Sequence, residues 1–129
     1  MILRKPLALA APLALILALP ACQPRFGYLE ITVKSSPPVP VSVRDQAFEI
    51  PVGIAVLIHA EPVSDNMNDY VATDDVDLIT QKSAILDVEP GPDDRTFVLV
   101  GVSPGDTCVD VFINGSREEC IPATVLAPM

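Results

Sequence analysis

The chain predicts an all-β fold, an antiparallel sandwich of about seven short strands, once its first 21 residues are set aside. Three observations predict it. Apolar and polar residues alternate in short runs spaced about ten residues apart. Turn-forming groups such as Pro90-Gly91-Pro92 and Ser103-Pro104-Gly105 punctuate those runs. After the leader, no stretch of ten or more residues carries a 3.6-residue apolar period, so no helix competes for the core.

The leader comes first. Met1 to Lys5 carries two positive charges, Arg4 and Lys5, and Pro6 to Ala21 is made only of Leu, Ala, Ile and Pro. A basic head, a short apolar helix and a small-residue exit form a secretory signal, here 1–21. The apolar run is sixteen residues and holds Pro6, Pro12 and Pro20. A bilayer span needs about 20 apolar residues, and interior prolines are costly, so the run is read as a cleaved signal and not as a permanent span.

The remainder, 22–129, has 108 residues, enough for one domain and one core. Without Arg4 and Lys5, six Lys and Arg face seventeen Asp and Glu, a net charge of −11. Such a surface disfavours nucleic acid and anionic headgroups as partners.

Residues 22–27 read as a tether and 28–129 as the domain. Tyr28 to Lys34 alternates and is rich in β-branched and aromatic residues, so it reads as a strand. Val39 to Val43 alternates again, and Pro38 and Pro40 suit a sheet edge. Pro51-Val52-Gly53 reads as a turn or bulge entering a strand, Ile54 to Ala60, with Val56, Ile58 and Ala60 on one face and Ala55, Leu57 and His59 on the other. Glu61-Pro62 ends that run. Val63 to Thr80 is polar and acidic. Ala84 to Val88 and Arg95 to Val102 read as strands separated by a loop. Thr107 to Ile113 and Ser116 to Val125 form a hairpin around Asn114-Gly115.

Two resemblances add to this reading. Leu19-Pro20-Ala21-Cys22 resembles the lipobox of bacterial lipoproteins, with Pro20 departing from the usual small residue. The resemblance implies that cleavage precedes Cys22, that its sulfur carries a diacylglyceryl thioether and that its new amine is acylated. Gln23 in place of Asp implies sorting to the outer membrane in Gram-negative members. The other reading of these residues is an ordinary signal peptide cut after Ala21. Three acyl chains, at about 0.8 kcal/mol per buried CH2, hold a protein at a membrane without a spanning helix.

The second resemblance is to bacterial Ig-like domains of invasin and intimin type. Val52 to Ala60 is similar to their second strand. Ser83 to Val88, and Val102 to Thr107 followed by Val109 and Val111, follow in the same order over 52–125. The tryptophan common in their third strand is absent. The family is mostly structural and adhesive, so the resemblance implies a protein-binding or structural role, another envelope protein as partner, and no catalytic residues.

In the Ig-like reading Val109 and Val111 face the core, so Cys108 faces out, as does Cys120 on the returning strand. Export and an even remainder of cysteines after Cys22 suggest a Cys108–Cys120 disulfide. A two-residue Asn114-Gly115 loop alone would put Cys108 and Cys120 on opposite faces. A three-residue loop, Ile113-Asn114-Gly115, pairs them directly, and a bulge restores the same parity.

Sharper chemistry finds little footing. His59 is the one histidine, with no motif around it for nucleophilic catalysis, so no enzyme is expected. No cofactor motif is present. Asp65, Asn66, Asn68, Asp69, Asp74, Asp75 and Asp77 supply oxygen ligands for a cation, but Met67 stands where an EF-hand needs a ligand and the glycine is missing. Metal ligation is therefore a weak expectation, and a calcium or small-ligand module using 61–80 is the alternative function.

Overall fold

The computed structural model describes residues 23–44 and 46–128. The signal helix expected over 1–21, and Cys22, lie outside the described residues.

Nine strands follow in order: β1 (Phe26–Val33), β2 (Ser42–Val43), β3 (Phe48–Pro51), β4 (Ala55–Ser64), β5 (Val76–Thr80), β6 (Leu86–Pro90), β7 (Thr96–Gly101), β8 (Gly105–Ile113) and β9 (Ser116–Leu126). They form two sheets, β1-β4-β7-β6 and β2-β3-β9-β8-β5. Every neighbouring pair is antiparallel except β3–β9, which is parallel. This is an Ig-like β-sandwich in which the first strand is split. β1 belongs to one sheet; the proline-bearing segment 35–47 then carries the chain across, and β3 joins the other sheet beside β9.

The core lies between the sheets. From one side come Leu29, Val56, Ile58, Ala60, Leu86, Phe97 and Leu99; from the other Phe48, Ile50, Val76, Leu78, Val109, Val111, Ile121, Ala123 and Val125, all buried. Each fully buried side chain of this kind contributes about 1.5–3 kcal/mol. The alternation expected for Val56, Ile58 and Ala60 against Ala55, Leu57 and His59 is the one observed.

Three expectations are corrected. Glu61-Pro62 does not end its strand, for β4 runs on to Ser64 with Pro62 buried opposite Leu29. The Ala60 N–H donates to Arg95 O, on the β7 side (2.8 Å). Two residues on, the Pro62 nitrogen points the same way, past the end of β7, where no ladder bond is lost. Val63 to Thr80 is not all loop: β5 alternates buried Val76 and Leu78 with exposed Asp77 and Ile79. β1 also begins at Phe26, so two residues assigned to the tether are in the sheet.

The three-residue loop expected over Ile113-Asn114-Gly115 is not formed, while the bulge expected as its alternative is. Asn114 (φ 51°) and Gly115 (φ 83°) make a two-residue turn with both central residues left-handed, closing Ile113 on Ser116. A bulge follows, with Phe112 opposite Arg117 but Val111 opposite Glu119. The extra residue restores the parity, so Cys108 and Cys120 share the outer face. They are not directly opposed, because Cys108 faces Pro122 and Cys120 faces Asp110. The disulfide bridges this diagonal across a Cα separation of 5.6 Å.

Candidate functional site

Of the two ends of the sandwich, one gathers Gln23, the β4–β5 loop (65–75), the β6–β7 loop (91–95) and the Asn114-Gly115 turn. The sequence-expected acidic residues are mostly here, and the structure shows what each does.

Arg95 organises the loop. It sits in the left-handed region (φ 57°), and its side chain is mostly buried. Its guanidinium pairs with Glu61 and donates to Val71 O (2.6 Å) and Asp74 O (2.9 Å). Backbone carbonyls and carboxylates are what a calcium site would recruit. Here a protein cation already occupies two of those carbonyls, and its planar fork suits the task.

Asp74 accepts from the Val71 N–H (2.7 Å) and from Asn114 Nδ2 (3.0 Å). Asn114 Oδ1 in turn accepts from the Asp75 N–H (2.8 Å), and the Asn114 N–H donates to Asp75 O (2.8 Å). The Val71 amide first, then the Asn114 amide and the Arg95 charge, hold the Asp74 carboxyl below its usual range. Burial, then the charges of Glu118, Asp74 and Asp65, push the Tyr70 hydroxyl up.

The remaining candidates are dispersed. Asp65 pairs with Arg25 (2.6 Å), and Asp69 is exposed. Asp77 lies on β5, where its carboxylate accepts from the Leu78 N–H (2.9 Å). Gln81 N–H donates to Cys108 O and Asn114 N–H to Asp75 O, so odd-numbered amides of this strand face β8 and that of Leu78 faces outward. Asp77 thus blunts a sheet edge against strand addition. Among the described residues no three of His, Cys, Asp and Glu converge on one point. His59 lies in β4, in register with Thr32 and Thr96.

A cleft of about 440 Å³ at this end is lined by Gln23, Tyr70, Asp74, Asn114 and Glu118. An equally large groove at the other end is apolar, lined by Val39, Pro40, Pro51, Val52, Ile54 and Leu126.

Sequence reading missed two contributors here, Arg95 and Arg25, and weighed Asn66 only as an oxygen ligand for a cation. Asn66 Nδ2 donates to Gln23 O (3.1 Å), its Oδ1 accepts from Ser64 Oγ (2.6 Å) and from the Asn68 N–H (3.0 Å), and the Asp65 N–H donates to Arg25 O (2.9 Å). The only sequence signal was local, the Ser64-x-Asn66-x-Asn68 spacing that favours side-chain-to-backbone turns.

No family model matches the chain, and no curated protein matches it. Among solved structures the chain is similar to the crystal structure of the S-layer protein SbsC domains 4 and 5, at 18% identity and a TM-score of 0.49. The likeness covers 73% of this chain and 55% of that one, so the chain spans about half the length of the structure it matches.

Proposed function

We propose that the chain is a lipid-anchored cell-envelope protein whose Ig-like domain is structural or protein-binding and performs no catalysis. One observation carries the reading. An export leader ends at Cys22, and the folded body is tied down from Gln23 onward, so the lipidation signal and the domain meet without a spacer. A basic head and apolar run commit the chain to export. Leu19, Ala21 and Cys22 supply the acylation signal, and Gln23 directs the product to the outer membrane by the family resemblance. An oxidising compartment fits the Cys108–Cys120 bond. The bacterial Ig-like resemblance, of invasin and intimin type, supplies the protein-binding role.

The test is processing. Globomycin should make a precursor that still carries residues 1–21 accumulate, and mass spectrometry of the envelope protein should find a triacylated Cys22. Normal processing under the drug, with a mature N-terminus free of fatty acid, sinks the anchor. The calcium alternative is met by calorimetry and melting with calcium, where the Arg95-filled loop gives no heat and no shift.

A further inference from the structure

We propose that the Gln23 end of the sandwich rests on the membrane surface, with Met67 inserted among the lipids. This rests on the lipid-anchored reading above and adds an orientation and a contact residue to it.

Two independent observations meet here. Met67 is 99% exposed and Val71 58% exposed, so the 66–71 loop holds two large apolar side chains in water. The same loop is bound to the residue that follows the acylated cysteine. Asn66 holds Gln23 O, Asp65 holds Arg25 through side chain and backbone, and Phe26 is in register with Ser64. Gln23, one residue after the acylation site, is therefore held at this loop's base, so an acyl anchor on Cys22 would tether this end of the sandwich. A headgroup layer is roughly 5–7 Å deep per leaflet, shallow enough for an unbranched thioether side chain to cross.

Charge selects the lipid. Arg25 neutralises Asp65, and the Asp74 carboxylate is taken by Val71 and Asn114, but Asp69 remains exposed on a strongly acidic chain. The surface that fits is zwitterionic phospholipid. The apolar groove of Val39, Pro51 and Leu126 then faces away from the bilayer, about 35 Å along the eleven-residue β9.

The experiment uses the full acylated chain, reconstituted in phosphatidylethanolamine–phosphatidylcholine vesicles. Single cysteines replace Met67, Val71 or, at the opposite end, Val102, and carry the environment-sensitive fluorophore NBD. The thioether blocks Cys22 and the disulfide blocks Cys108 and Cys120. The expected result is a several-fold rise in emission for M67C, with quenching by spin-labelled lipid, a smaller rise for V71C and none for V102C. Adding phosphatidylglycerol to the vesicles should lower the M67C signal. An M67C label as water-exposed as V102C, on protein shown by mass spectrometry to be acylated and to float with the vesicles, overturns the contact while leaving the anchor standing. Protein without fatty acid that does not float overturns both.

Discussion

The two ends of this sandwich are closed by different physics. At the Gln23 end, loops meet through charged and amide side chains: Arg95 across Glu61, Val71 and Asp74, and Asn114 between Asp74 and Asp75. At the opposite end the closure is backbone against backbone. Gly53 N–H donates to Gly101 O, Gly101 N–H to Ile54 O, and Val52 N–H to Leu126 O, so β3, β7 and β9 lock together with hardly a side chain involved. A guanidinium clamp has several partners, so losing one leaves the others in place. A backbone lock has no such freedom, so it depends on what is absent from the side chain.

The largest effect should therefore come from the second end. A Cβ at Gly101 would collide with the Pro51 carbonyl. Gly101→Val should cost roughly 4 kcal/mol, above the usual 1–3 for overpacking because the obstacle is backbone. Urea denaturation measures it, and a midpoint near the parent's would mean that the lock yields easily. Next, serine at both Cys108 and Cys120 should cost about 3 kcal/mol in the chain-entropy model for a loop of this length, read from melting with and without reductant.

At the first end, Arg95→Met strands two carbonyls and Glu61. It should cost about 2 kcal/mol, with hydrogen exchange quickening in 66–75 while the β4 core amides keep their relative protection. Equal acceleration everywhere would show that the clamp serves global stability and not the loop. Thr80 and Thr107 supply the opposite sign. Their buried hydroxyls lack a hydrogen-bond partner among the described residues. Valine at either should stabilise by about 1 kcal/mol, since no bond is broken and a desolvation penalty is removed.

The smallest effect is acidic. Asp74 has a folded value lowered from its ordinary 3.8, so its contribution is in place above that value and disappears as pH falls through the lower, folded one. Asn114→Ala removes one of the bonds that lower it. The gap in melting between this variant and the parent should therefore narrow as the pH drops below about 4, without closing, because the Asp75 N–H bond to Asn114 and the left-handed backbone there do not titrate; a constant gap would contradict the assignment.

Much of this body could be read from residue order. Alternation sorts Val56, Ile58 and Ala60 onto one face of β4, and the Ig-like resemblance implies the inward faces of Val109 and Val111 in β8 and of Ile121, Ala123 and Val125 in β9, all of which are buried. β5 was missed although Val76-Asp77-Leu78 alternates, because five residues are few and the acidic run before it hides the period. Pro62 misled because whether a strand tolerates proline depends on whether a neighbour lies beside it, which is not a local property. Arg95 could not be seen at all. Its role depends on two loops, 91–95 and 65–75, that meet only after β4 and β7 are paired. The acidic residues looked like a ligand set because sequence shows charge without showing what already neutralises it.

The register shift at Val111/Phe112 decides which way two sulfurs look. Continued without it, the Asn114-Gly115 turn would set Val109 across from Cys120, so that one sulfur would look inward and the other out. With the shift, Ile121, Ala123 and Val125 bury against the opposite sheet and both sulfurs come to the same side. The cross-link therefore fastens the same register that apolar burial favours.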